Sequence, residues 1–221
     1  WAYWTLDKTG DRWSTRNPIT NNKEAYDIAF TANATVNNYT ITYVTAGGTN
    51  VDALTYTIED AITLGSTTRT GYTFAGWKVT TANGNWTANA TYTAGQQIPA
   101  GMYGNVTLTA QWNVVEYSIT YDLDGGTVSS ANPTKYTIES ADITLNNPTK
   151  ANYVFVGWTG SNGTTPELTV TITKGSTGNK TYRANWVEAE ASVTFNGNTT
   201  YYSQVEQAFT YANTLGTTAN L

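Results

Sequence analysis

The chain has 221 residues, a formal net charge of −5, 12% charged residues, and neither cysteine nor histidine. The missing cysteine excludes a disulfide framework, a thiol nucleophile and a thiolate metal site, and the missing histidine excludes every Ser-His-Asp or Cys-His arrangement. Negative charge with lysine and arginine scattered singly argues against a nucleic-acid or anionic-membrane partner, and no apolar run is long enough to insert in a bilayer.

Threonine, asparagine and tyrosine dominate what remains, which fits a secreted or surface-displayed chain whose solvent-facing strand positions carry Thr. No signal peptide is present, so the chain reads as a processed or excised segment.

The N-terminal residues acquire meaning from a phrase that occurs twice farther on, GYTFAGW at residues 71–77 and NYVFVGW at residues 152–158. Aligned to it, WAYWTL places Trp1 on Phe74 and Trp4 on Trp77. Trp13 then falls on Trp86, and FTANA at 30–34 falls on LTAQW at 108–112. Residues 1–36 therefore read as the C-terminal half of a repeat module.

Residues 37–113 and 114–187 read as complete modules with a period of roughly 75–80 residues, one small domain each. Each opens on an alternating strand, YTITYV at 39–44 and YSITYDL at 117–123. A Gly-Gly pair follows four residues after Tyr43 and after Tyr121; next come YTIE at 56–59 and 136–139, then ITL at 62–64 and 143–145. The units close on LTAQW and on YRANW at 182–186. Asn83-Gly84, Asn162-Gly163 and Asn196-Gly197 are expected turns, and Gly76 and Gly157, directly before tryptophan, are expected to permit a bulge or a close backbone approach. No module shows a helical pattern.

Residues 188–221 read as a strand, ASVTF at 191–195, and a helix over 203–215, the start of a further, incomplete domain. Val205, Ala208, Phe209 and Ala212 form the apolar stripe. Ser203 with Glu206 has capping-box spacing, and Gly216 is placed to end the helix in a left-handed conformation.

The frame Y-x-I-T-Y, G-G, Y-T-I-E, I-T-L, P-T-K, Y-x-F-x-G-W and A-x-W resembles the Listeria/Bacteroides repeat, or internalin B-type repeat, with Thr67 where the later unit has Pro148. The resemblance implies a mostly β chain of small β-grasp-like modules in an elongated array, here followed by one strand-helix segment. It also implies an extracellular place on a bacterial cell wall or envelope, with an adhesive or spacing role. The family supplies no catalytic residues.

Three functions are open at this stage. The first is a non-enzymatic stalk or adhesin segment, its partner a host or microbial surface protein or glycan. The second is a filament in which the C-terminal strand-helix of one copy completes the half module of the next, joining Trp1, Trp4 and Trp13 to Val205, Phe209 and Leu221. The third is a carbohydrate-binding module that uses Trp13 and Trp86, which sit in polar contexts, DRWST and GNWTA, and lack a counterpart in the last unit. The other recurring aromatics, Tyr72, Phe74, Trp77, Tyr153, Phe155 and Trp158, are expected in the cores. DLDGG at 122–126 is expected to be a turn, since the equivalent VTAGG has no carboxylate. The acids show no paired recurrence of the kind glycoside hydrolysis needs. No catalytic, cofactor or metal residue is therefore assigned.

Overall fold

A computed structural model describes residues 35–216 in full and, before them, only the backbones of strands β1 (Tyr3–Leu6), β2 (Arg12–Trp13) and β3 (Phe30–Asn33). The fold is mostly β, built from several small sheets that follow one another along the chain. Two compact units result, Trp1–Thr68 with Phe74–Gln111, and Arg69–Thr73 with Trp112–Leu221. β1 to β3 form an antiparallel sheet of order β2-β1-β3 in which Trp4 lies opposite Trp13.

The first complete repeat comprises β4 (Tyr39–Val44), β5 (Leu54–Tyr56), β6 (Ile62–Thr63), β7 (Tyr72–Ala82), β8 (Thr91–Tyr92), β9 (Gln97–Ile98) and β10 (Val106–Val114). Its main sheet has the order β5-β4-β10-β7-β8, with β6 and β9 paired beside it as a second small sheet. The opening strand β4 pairs in parallel with the closing strand β10, so the two ends of the repeat meet in the middle of its sheet. Alternation along the strands decides the core: Ile41, Trp77, Val79, Leu108 and Ala110 are buried, with Ile62 and Ile98 from the smaller sheet and Leu64 just after β6.

The second repeat reproduces this order with β11 (Glu116–Asp122), β12 (Lys135–Thr137), β13 (Ile143–Thr144), β14 (Tyr153–Gly160), β15 (Gly163–Glu167), β16 (Thr171–Ile172) and β17 (Lys180–Glu188). The main sheet is β12-β11-β17-β14-β15, with β11 and β17 parallel and β13 paired with β16. Ile119, Tyr136, Leu145, Trp158, Ile172, Tyr182 and Ala184 fill the core. Both Gly-Gly pairs serve one kind of turn. Ala46 and Gly47 have φ of 49° and 90°, Asp124 and Gly125 of 46° and 82°. The second glycine of each pair donates its N–H back across the turn, Gly48 to Thr45 O at 3.0 Å and Gly126 to Leu123 O at 2.9 Å. DLDGG is thus the turn expected.

The C-terminal segment shows the expected strand and helix, with one more strand between them. ASVTF becomes β18 (Ala191–Phe195), which folds back at once on β19 (Asn198–Tyr202) as a tight antiparallel hairpin over Asn196-Gly197, both at positive φ. In the repeats the opening strand likewise pairs antiparallel with the strand after it, β4 with β5 and β11 with β12, and on its other side pairs in parallel with the closing strand. Helix α1 (Val205–Leu215) follows, the single helix among the described residues. Its N-cap is Gln204, with no side-chain cap, so the Ser203–Glu206 capping box does not form. Gly216 has φ 75° but ψ −161°, an extended glycine conformation that replaces the left-handed helical cap expected there.

Gly157 is one position where the frame admits no side chain. At φ 134° it forms the bulge that shifts the β14–β17 register between Phe155 and Gly157. A Cβ there would lie 2.5 Å from the Glu167 backbone nitrogen. Gly76 repeats the conformation at φ 135°, with Thr91 Cγ2 in the same place at 2.4 Å. Gly157→Ala is expected to cost about 2–3 kcal/mol in denaturant unfolding, from strain plus the clash. Gly163→Ala, where φ is also positive but the space is open, should cost about 1 kcal/mol. Equal losses at the two sites would refute the close-approach argument.

Candidate functional site

Each repeat is organised around one indole. Trp77 and Trp158 are fully buried, and each packs against a phenylalanine three residues upstream and the tyrosine of the opening strand. Phe74 lies 5.2 Å and Tyr43 4.7 Å from Trp77, ring to ring; Phe155 and Tyr121 lie 5.4 Å and 6.0 Å from Trp158. A buried indole N–H needs an acceptor, and the two repeats supply different ones. Trp77 donates to Gly65 O at 2.8 Å, Trp158 to Asn147 Oδ1 at 3.1 Å.

The tyrosine of YTIE carries the second recurring bond. Tyr56 donates its hydroxyl to Gly104 O and Tyr136 donates to Gly178 O. The asparagine after each of those glycines turns its side-chain oxygen to the opening strand: Thr40 N–H donates to Asn105 Oδ1 at 2.9 Å, Ser118 N–H to Asn179 Oδ1 at 3.0 Å. Asn105 and Asn179 were missed in the sequence, where the Gly-Asn pair repeated at 104–105 and 178–179 was the signal for this role.

Trp86 is not the exposed recognition residue its polar neighbours suggested. It is 5% exposed, stands edge-on to Tyr56 and Tyr92, and donates its indole N–H to the Tyr56 hydroxyl at 2.7 Å. It therefore extends the Tyr56–Gly104 bond by one member, a chain that the second repeat does without. Burial leaves no ring face for a sugar. The side chains of Trp4 and Trp13, and all of Trp1 and Leu221, lie outside the described residues. Val205 and Phe209, the other side of the expected junction, are 47% and 51% exposed; Ala208 is buried and Ala212 and Leu215 are half-buried, so they form the face of α1 that packs on β18 and β19.

Charged groups stay at the surface. Lys135 pairs with Glu116 at 2.6 Å and Arg183 with Asp122 at 3.6 Å, all well exposed, pairs that add little to stability. Among the described residues no group of three or more Asp and Glu comes together as a metal would require. Apart from Asp60, lowered by its hydrogen bonds from Thr57, and Lys135, raised by Glu116, the perturbed groups are tyrosines; burial, and then the neighbouring Tyr182, push the Tyr121 phenol up to about 12. Its hydroxyl donates to Pro133 O at 2.8 Å.

Two measurements test this arrangement. Trp86→Phe, which removes only the N–H donor among polar atoms, is expected to cost about 1–2 kcal/mol, and Trp86→Ala about 3–5 kcal/mol; unchanged melting of both would return Trp86 to the surface. Tyr121 is harder to ionise in the folded chain than in the unfolded one. Its contribution is complete below the ordinary tyrosine pKa of about 10 and is lost as pH rises through about 12. Alkaline unfolding followed by circular dichroism should become shallower over that window in Tyr121→Phe, and an unchanged slope would contradict the assignment.

Residues 39–111 and 117–185 each match the Listeria-Bacteroides repeat domain, and these matches begin at the opening strands and end beside the closing tryptophans of the two repeats. The chain belongs to the Listeria-Bacteroides repeat family, a family typical of bacterial surface proteins.

Proposed function

We propose that this chain is a non-enzymatic, extracellular structural and adhesive segment of a bacterial surface protein, built from β-grasp-like repeats and associated with the cell wall or envelope. The observation that carries this reading is where the recurring residues go. Ile41 and Ile119, Tyr56 and Tyr136, Leu64 and Leu145, Trp77 and Trp158, and Ala110 and Ala184 are all buried. What recurs is spent on closing each module, and what differs between modules lies mostly outside, where Thr and Asn predominate. The β-grasp-like description is supported by the order of the first four main-sheet strands, β5-β4-β10-β7 and β12-β11-β17-β14, with the opening and closing strands parallel at the centre.

The test is protease shaving of intact source cells followed by immunodetection of this segment. Loss of signal from whole cells, with a cytosolic marker protected, is the expected result; protection until lysis would sink the surface reading.

Self-association is a second reading, favoured by the exposure of Val205 and Phe209 on α1. Light scattering on the chain and on a Val205→Ser/Phe209→Ser variant decides it. A mass above 24.0 kDa that falls on substitution supports self-association, and a monomer in both disposes of it.

A further inference from the structure

In the second unit β19 lies against the start of β14, and the two leave between them an open cleft of about 510 Å³, within the usual span for small-ligand sites of roughly 300–1,000 Å³. Tyr153, Phe155 and Trp186 line it from the repeat, Thr200 and Tyr201 from β19. All four aromatic side chains are half-buried, so each keeps part of its surface open. The hydroxyls of Tyr153 and Tyr201 make no hydrogen bond among the described residues.

Lys150 is the one charged residue in the lining. Its ammonium donates to the Asp124 backbone oxygen at 2.9 Å and stands 3.8 Å from that residue's carboxylate. It also sits over Tyr153 at 4.3 Å and within 5.8 Å of the Trp186 ring centre. The cation is thus already engaged by Asp124 and the two rings, and an anion in the cleft would have to compete with Asp124 for it.

We propose that this cleft binds an uncharged pyranose, a neutral hexose or N-acetylhexosamine unit of a glycan. A pyranose presents a face of C–H groups ringed by hydroxyls. The cleft offers the complement, aromatic surface for the C–H face and unpaired phenol and threonine hydroxyls that both donate and accept. An acyl chain would leave those hydroxyls without partners, at a cost. The first repeat has the cation-over-tyrosine pair too, Arg69 standing 3.7 Å over Tyr72. That pair is therefore part of the repeat frame, and it is Thr200 and Tyr201 of β19 that add the hydroxyl-bearing wall, where at the first repeat Ile138 and Glu139 stand against Gly71 and Tyr72. The proposal deepens the adhesive reading by naming its ligand class and rests on that reading for its biological meaning, while sugar binding and surface display are measured separately.

The experiment is a titration of the intact, isotope-labelled chain with methyl glycosides of glucose, galactose, mannose and N-acetylglucosamine and with their short oligomers, followed by NMR. Sialyllactose and inorganic phosphate serve as anionic probes. Saturable shifts at Tyr153, Trp186 and Tyr201 with at least one neutral sugar are expected, with affinity about tenfold weaker in Tyr201→Ala. Thr200→Val and Tyr201→Phe, which keep the packing, should each weaken binding severalfold while melting like the parent, so the outcome does not depend on Tyr201→Ala folding. No saturable shift with any neutral sugar, shifts confined to the anionic probes, shifts that map elsewhere, or full affinity in the folded variants would each overturn the proposal. Sugar binding without protease accessibility on cells would separate a failure of the surface reading from a failure of this one.

Discussion

The burial of one tryptophan per repeat is the constraint on which the rest of the module depends. A domain of this size without a disulfide has little apolar surface to bury, and a fully enclosed indole with its flanking Phe and Tyr supplies a large share of it. That indole must be reached from both ends of the repeat. The opening strand contributes the tyrosine that packs on it, and the closing strand contributes Leu108 or Tyr182 to the same core. Parallel pairing of β4 with β10, and of β11 with β17, is what brings those two strands side by side. The glycine before each tryptophan follows from the same requirement. Beside the inward ring of Trp158 the strand bulges and the β15 backbone closes to a distance at which no Cβ fits, and beside Trp77 the Thr91 side chain fills the same space.

Most of this was legible because the repeat let the chain be compared with itself. Period-two alternation placed the strands, and the recurrence of Tyr, Phe and Trp at fixed spacing identified the core without an alignment. The errors came where that comparison was missing. Trp86 had no partner in the last unit and sat among Asn, Thr and Gly, so local polarity was the only guide. What buries it is the Tyr56 hydroxyl 30 residues away, a contact no local pattern encodes. ASVTF is readable as a strand from its alternation, whereas its hairpin partner β19, NTTYY, lacks that alternation and went unseen across Asn196-Gly197.

Helix α1 shows how tertiary contacts override a cap. Ser203 and Glu206 have the right spacing, yet the helix starts two residues after Ser203, with Gln204 extended at φ −143°. Tyr202 and Tyr211 pack ring to ring at 5.8 Å, and Ala208 is buried against the hairpin. Anchoring by these contacts is worth more than one side-chain bond to a helix N–H, since a helix of eleven residues draws its stability from packing. Alanine allows close approach on one side, which is why half of the apolar stripe is buried while Val205 and Phe209 are left facing outward.

The division between recurring and variable positions also bears on where recognition can arise in such a protein. Side chains committed to the frame cannot be altered freely, because Tyr, Trp, Gly and Asn are tied to one another through backbone bonds such as Thr40 to Asn105 and Tyr56 to Gly104. A binding surface is more readily added where something outside the frame abuts it, as β19 does against Tyr153 and Trp186. There the repeat contributes aromatic surface that it already needs for folding, and the added hairpin contributes hydroxyls that have no structural task. Specificity in that arrangement resides in the hairpin, and a different segment placed against the same ledge would recognise a different ligand without any change to the repeat itself.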